Sequence, residues 1–364
     1  MAIKGVVYVP TGGTDEWQSE PSGLHEVANR PLVGLILEEL AAAGVDSVAV
    51  VAAASRLGQL RKCIASDSTR ELDVSFFGLA GSRRLAGAVS SASGFVGDDA
   101  AILHLASGLL GQSCEPLVAG ARDQHENLRL LLHRGREGSG RLSARTRRLL
   151  GVSELGGAGG RLSLAGVATF SPGSFASAAR APACGRGQEP ADVAIAMEPT
   201  HELTAIADEL AGEGLTVAAG FVSGWCDYSV DPAALLELNR SVLDRQATGL
   251  HHHGGIAGNR IEGRVIIDPT AEVTGSVILG PSLIGPGVRI ADAYIGPYTT
   301  IGAGAVIENC EILRSIVGPG ARLSHVGSRI EGSTIGRDAN IFRDFRLPRA
   351  MRLHVGERVE ISLS

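Results

Sequence analysis

The last third of the chain carries the pattern that most restricts its fold. Ile261, Ile267 and Val273 stand six residues apart, and Ile278, Ile284, Ile290 and then Ile295, Ile301, Ile307 repeat the interval. Successive groups begin 17 residues apart, so one turn of the repeat takes six, six and five residues. Small or turn-forming residues fill the corners, as in "IGPGVRI" and "IGPYTTIGAGAVI". A strand this short buries one aliphatic side chain, and it can do so only by stacking on the same position of the coil before it. That is the signature of a parallel β-helix. At ~4.8 Å per coil, the stretch from Ile261 to Phe345 makes about five coils, a prism roughly 24 Å long. The register slips after Leu323, as expected of coils that close the stack. The preceding segment, "ATGLHHHGGIAGN", reads as a linker.

Upstream the rhythm is different. "GVVYVP", "SVAVVAA", "DVSFFG" and "AAILHLA" are short runs rich in Val, Ile and Phe and read as strands. Between them, "PLVGLILEELAAAG", "RLGQLRKCIA" and "RLAGAVSSASGFVG" place apolar residues at three- and four-residue spacing and read as helices. This alternation predicts βαβ units around a mostly parallel sheet covered on both faces. Residues 134–163, rich in Arg and Gly, read as loops flanking a short helix. The expected organisation is an α/β domain over residues 1–246, a linker over 247–260, a β-helix over 261–347 and a tail over 348–364.

Composition narrows the function classes. A net charge of −6 argues against a nucleic-acid binder. No apolar run reaches the ~18 residues that span a bilayer, and the opening residues lack a signal-peptide core, so a cytoplasmic protein is expected. The five cysteines are scattered and odd in number, which suggests neither a disulfide framework nor a zinc site. Lysine occurs only at Lys4 and Lys62, and the abundance of Ala, Gly and Arg suggests a GC-rich genome. Any mechanism that needs a lysine has two places to find one.

Ligands of such sheets sit at the carboxyl ends of the strands. There the first strand runs into "VPTGGTDEWQSEPSGLHEVANRP", which has the layout of a phosphate-holding turn: strand, glycines, then a helix. Its charges are wrong for that task. Asp15 and Glu16 occupy the turn, and no Lys or Arg precedes Arg30.

The order of elements resembles the long form of glucose-1-phosphate thymidylyltransferase of actinobacterial deoxysugar and antibiotic pathways, over nearly the whole chain. The resemblance rests on "IKGVVYV", "VANRPLVGLILEELAAAGV", "RRLAGAVSSASGFVGDDAAILHLAS", "GWCDYSVDPAALLELNRSVLD" and the hexapeptide tail. It implies a Rossmann-like nucleotidyltransferase domain followed by a left-handed β-helix. It also implies a reaction joining a sugar 1-phosphate to a nucleoside triphosphate with release of pyrophosphate. Such chemistry needs a backbone cradle, cationic side chains and Mg²⁺ held by carboxylates.

Residue by residue, the family's motifs are altered here. Its G-G-x-G-T-R run corresponds to Pro10, Thr11, Gly12, Gly13, Thr14 and Asp15, so a residue without an N–H and a carboxylate stand where a donor and a cation are needed. A carboxylate ~4 Å from a phosphate charge costs about 4 kcal/mol per unit charge at an effective dielectric of ~20. Ser22 falls on the lysine of the following P-K pair, Leu79 on the base-reading Gln and Arg84 on a close-approach glycine. Ala106, Ser107 and Gly108 replace G-D-N, whose Asp binds Mg²⁺. The E-K-P motif has no counterpart, and the sugar-binding Glu before the family's I-T-D helix falls near Thr200. "WCDYSV" replaces W-K-D-T-G, with Asp227 on the lysine and Tyr228 on the metal-binding Asp; a one-residue shift would make Asp227 that ligand. Removing one electrostatic contact commonly costs on the order of 10²–10³ in rate.

The expectation is therefore a degenerate homologue: a fold retained without its pyrophosphorylase activity, acting as a non-catalytic subunit or regulator. A repurposed enzyme using the same pocket, or an active thymidylyltransferase with an atypical site, are the alternatives. Asp15, Glu16, His104, Ser107, Trp225 and Asp227 should converge on the old pocket, and Gly12, Gly13 and Thr14 form a vestigial nucleotide loop. No cofactor is expected, except Mg²⁺ if transfer activity is retained, and no metal site. Expected partners are further copies of the chain, an active paralogue or other pathway enzyme, and a nucleotide or sugar nucleotide, but neither nucleic acid nor membrane. His251, His252 and His253 could bind a metal, but three adjacent side chains cannot all address one ion. His325 lies in the β-helix, a scaffold that many acyltransferases use with a catalytic His, but the matching stretch of the family looks similar without that activity. Arg134–Arg148 reads as a solvated surface.

Overall fold

The computed structural model describes residues 2–10, 22–65, 72–79, 84–110, 115–123, 125–135, 144–150, 161–181, 199–227, 232–245, 251–252 and 258–343. Contacts divide the chain into two compact units, the first ending at Ser241 and the second beginning at Val242.

In the first unit seven strands form one sheet: β1 (Ile3–Val9), β2 (Ser47–Ala53), β3 (Asp73–Leu79), β4 (Ala100–His104), β5 (Leu128–Gly135), β6 (Arg161–Phe170) and β7 (Val217–Phe221). Their order across the sheet is β7-β5-β6-β4-β1-β2-β3. All neighbours are parallel except β6, which runs antiparallel to both β4 and β5. The expected mostly parallel sheet is present. Its central strands are nearly continuous apolar runs because helices cover both faces.

Eight helices accompany the sheet in the described residues: α1 (Leu32–Ala42), α2 (Leu57–Ala65), α3 (Leu85–Val96), α4 (Glu115–Arg122), α5 (Ala144–Leu149), α6 (Ser174–Arg180), α7 (Pro199–Gly212) and α8 (Pro232–Arg245). Helix α5 is the short helix expected within residues 134–163. On one face, Ala88, Val89 and Ala92 of α3 and Leu203, Ile206 and Leu210 of α7 share a core with Val6, Leu103, Leu130 and Phe170 of the strands. The small residues of α3 allow close packing on α6 and the sheet. Strand β1 lies between β2 and β4, so the chain departs to opposite sides there. In a sheet of this kind the crevice opens at that switch, beyond the carboxyl ends of β1 and β4. None of the described helices is long and apolar enough to cross a membrane.

The second unit stacks short parallel strands into three sheets. One joins Ile261, Ile278, Ile295, Ile312 and Ile330 in register. Another joins Ile267, Ile284, Ile301, Val317 and Ile335. The third joins Val273, Ile290, Ile307, Leu323 and Ile341. Nearly all these side chains point into one apolar core. The stack agrees with the left-handed β-helix that the resemblance implies. The register slips after Leu323, as expected, and a first shift already falls between Ile312 and Val317. Val317 and Leu323 already follow their partners by 16 residues instead of 17, and the next coil takes 18. The lost residue is regained at a corner, so the aliphatic stack stays aligned.

Corners are where the coil sequence is specified most tightly. Gly258, Gly275, Asp292, Asn309 and His325 form one ladder of left-handed residues, with φ of 86°, 59°, 49°, 48° and 53°. Gly, Asp and Asn tolerate this region best. The Asn309 amide lies 3.2 Å from His325 Nδ1, tying two rungs together. Within the segment expected as a linker, His251 and His252 form a two-residue strand paired parallel with Val265–Ile267.

Candidate functional site

Strand β4 ends at His104 in the crevice, and the next four residues build the site. Leu105 donates its N–H to the Gly166 carbonyl of β6 at 2.7 Å. Ala106 then turns through a left-handed φ of 46°, and its N–H reaches back to His104 Nδ1 at 3.0 Å. Because Nδ1 accepts that bond, the ring carries its proton on Nε2. Burial pushes the His104 pKa down to about 3, since the charged ring has lost its water. His104 is thus a neutral donor through Nε2–H, and cannot serve as a base through that nitrogen.

Gly108 and Leu109 pair antiparallel with Asp227 and Cys226 in a small ribbon, which brings Trp225 over the turn. A side chain at Gly108 would collide with the Cys226 carbonyl and stand 2.7 Å from Trp225 Cζ2. One at Gly166 would collide with Ser107 Oγ and stand 3.1 Å from the same indole carbon. The indole and the Ser107 hydroxyl therefore meet over two glycines. The Trp225 ring centre lies 5.8 Å from that of His104 and 6.4 Å from that of His133, tilted in both cases. His104, Ser107 and Trp225 are 1%, 8% and 7% exposed, yet His104 Nε2, Ser107 Oγ and Trp225 Nε1 have no hydrogen-bond partner. Buried polar atoms are normally paired, so three together make this turn a candidate site.

A second arrangement occupies the N-terminus of α3. The residue before it, Arg84, is extended and gives no side-chain cap. Glu202 of α7 supplies one: its carboxylate accepts from Ala86 N at 3.3 Å and lies 3.5 Å from Arg84 Nε. Burial raises the Glu202 pKa, against the lowering pull of the Ala86 N–H, Arg84 and the Leu85 N–H. Burial and, secondarily, the nearby Glu202 carboxylate raise the pKa of Tyr8. The donors that a helix start offers to an anion are thus engaged by the protein's own carboxylate.

Of the residues singled out in the sequence, His104, Ser107 and Trp225 come together. Asp227 is placed by its backbone, opposite Gly108. Asp15, Glu16, Gly12, Gly13 and Thr14 lie outside the described residues. Three contributors are not among the residues read from the sequence: His133, Gly166 and Glu202. Near Thr200, where the resemblance places a sugar-binding Glu, the chain carries Glu202 two residues on. Thr200 is buried with its hydroxyl unbonded, and Glu202 is the carboxylate at the start of α3. Among the described residues no three His, Cys, Asp or Glu side chains group so as to hold a metal ion.

No protein-family model matches the chain. The fold is a Rossmann-like α/β domain followed by a parallel β-helix, and similar curated proteins carry names that fit this architecture. A glucose-1-phosphate thymidylyltransferase of Streptomyces antibioticus is 28% identical over 352 residues, spanning 93% of this chain and 92% of the relative. One from Streptomyces griseus is 29% identical over 353 residues, with the same coverage. The low-salt glycan biosynthesis nucleotidyltransferase Agl11 of Haloferax volcanii is 25% identical over 383 residues, spanning 99% of this chain and all of the relative. Among solved structures, a Bacillus anthracis protein assigned to the glucose-1-phosphate thymidylyltransferases, crystallised with sucrose, superposes with a TM-score of 0.50 at 16% identity. It covers 68% of this chain and 97% of its own. The chain resembles sugar nucleotidyltransferases along nearly its whole length.

Proposed function

We propose that this chain is a catalytically degenerate sugar-1-phosphate nucleotidyltransferase homologue, serving as a non-catalytic subunit or regulator in deoxysugar or secondary-metabolite biosynthesis. The observation that supports this most strongly is the charge-free character of the centre formed by His104, Ser107 and Trp225. Nucleotidyl transfer brings a tetra-anion to a dianion, and the developing charge must be met by cations and a divalent ion. Here the strand end that would present a carboxylate presents the Ser107 hydroxyl, and its neighbours are the N–H groups of His104 and Trp225. Mg²⁺ requires oxygen ligands, mostly carboxylate and water. Two N–H donors and one hydroxyl do not fit it. The engagement of the α3 N-terminus by Glu202 points the same way, because the backbone donors there face a resident anion.

The chain's role is then to pair with an active paralogue or another enzyme of its pathway, in the cytoplasm and as an oligomer. Purified protein is mixed with dTTP, Mg²⁺ and glucose 1-phosphate and the release of pyrophosphate followed. The expected result is release indistinguishable from a protein-free control. Turnover comparable with that of the family would overturn the proposal.

A further inference from the structure

Strand β7 closes one side of the seven-stranded sheet, and among the described residues no strand pairs with its outer edge. At its two ends the Thr216 carbonyl accepts from Leu128 N at 3.1 Å, and Val222 N donates to the Leu132 carbonyl at 2.8 Å. In a parallel ladder, alternate residues turn both backbone groups to the same neighbour. Thr216, Ala218, Gly220 and Val222 therefore face β5, whereas Val217, Ala219 and Phe221 turn their N–H and C=O groups outward. Solitary edges are normally blunted by charge, proline or a bulge, and "VAAGF" has none of these. The opposite edge is protected. There β3 begins at the exposed Asp73, and the Arg61 guanidinium stands 5.0 Å from the Phe76 ring centre. On β7 the Phe221 side chain is instead 58% exposed.

We propose that β7 is a self-association edge, pairing antiparallel with β7 of a second copy of this chain about a two-fold axis at Ala219. The order of residues within the strand selects a second copy. With Ala219 on the axis, the residues with outward backbone groups meet only one another: Ala219 faces the partner's Ala219, and Val217 faces the partner's Phe221. Each of these pairs exchanges both of its backbone bonds. A register one residue out sets outward groups against inward ones and makes none. The side chains agree with the same register. Val217, Ala219 and Phe221 share one face of the sheet by strand alternation, the face on which Val217 and Ala219 pack against the core of α3 and α7. The alanines at the axis allow close approach. On either side of them a Phe221 ring lies on the partner's Val217, an aromatic on a β-branched residue, which is a favourable cross-strand pair. An edge that is complementary to itself in this way closes as a dimer and does not propagate. This inference rests on the oligomer proposed above, for which it names the contact, and is independent of whether transfer activity is lost.

The test uses the full chain. Sedimentation velocity is run over a dilution series, and amide hydrogen exchange is read on the stretch 215–222. A concentration-dependent dimer is expected, with exchange in that stretch slowing as the dimer fills. Phe221→Lys sets a charge on the edge. Ala219→Pro removes an outward N–H that the ladder with β5 does not use, a position where a strand tolerates proline. Each should weaken dimerisation at least about tenfold with an unchanged circular dichroism spectrum, whereas Phe221→Leu should still dimerise. An assembly that forms equally well in the Lys and Pro variants, or forms without slower exchange at β7, overturns the edge pairing and leaves the oligomer standing. A monomer at every concentration overturns both, and protection of β7 gained only from a different protein would give the edge to that partner instead. Pyrophosphate release from the same preparations reports on the degenerate assignment alone.

Discussion

His104 shows how a single buried side chain fixes both a chemical role and a pH response. Its pKa is lowered from the ordinary 6.5 to about 3 by burial. The unfolded chain therefore takes up a proton below about pH 6.5 that the folded chain refuses. The stability contributed by this group is complete above that pH and is lost as the pH falls toward 3, at ~1.4 kcal/mol per pH unit. His104→Gln removes the titration. Urea unfolding of both proteins across this range should show the wild type losing stability faster, so that the difference between them shifts steadily with acidification. Parallel profiles would contradict a neutral, buried imidazole. His104, Ser107 and Trp225 are legible in the sequence because each falls at a strand end or beside a motif whose place in the fold is fixed. Glu202 is not, because its partner Ala86 is 116 residues away, and no local pattern announces a cap supplied from that distance.

At the scale of elements, helix α3 depends on that distant carboxylate. Glu202→Ala should cost about 1–2 kcal/mol in thermal or chemical unfolding, the range for losing a helix cap. Glu202→Gln keeps an acceptor for the Ala86 N–H and removes the buried charge whose desolvation raises the pKa. It should therefore stay close to the wild type at neutral pH. Equal losses in both variants would show that the charge, and not the acceptor, holds the helix start. In the β-helix the six-residue period makes the strands, their register and the apolar core readable from the order of residues alone. It reveals the slip after Leu323 but not the earlier shortening before Val317, because Val317 and Leu323 satisfy the pattern whether that corner is shortened or not. The corners can be tested directly. Asn309, at φ 48°, should accept Gly with little effect. Asn309→Val, by contrast, should lower stability by roughly 1–2 kcal/mol, the cost of forcing a side chain into the left-handed region. Equal thermal midpoints for the two would contradict a conformational cause.

For the molecule as a whole, the reading proposed above is that the architecture of the sugar nucleotidyltransferases is kept without their chemistry. The sheet order, the crevice at the switch between β1 and β4, and the stacked coils all persist. The described side chains that meet there, His104, Ser107 and Trp225, are neutral, with Ser107 at the strand end where the resemblance calls for a metal-binding carboxylate. The alternation of apolar runs suffices to predict the α/β domain, since burial on both faces leaves an unmistakable composition in a strand. The site is legible only as a loss of expected residues. What replaces them depends on how Gly108 and Gly166 admit an indole, a question of space that a sequence does not state. The most direct measurement is a crystal of the full chain soaked with dTTP and Mg²⁺. No Mg²⁺-bound triphosphate is expected at Ser107 and Gly108; both bound there in a reactive pose beside Asp227 would contradict the separation of fold from chemistry.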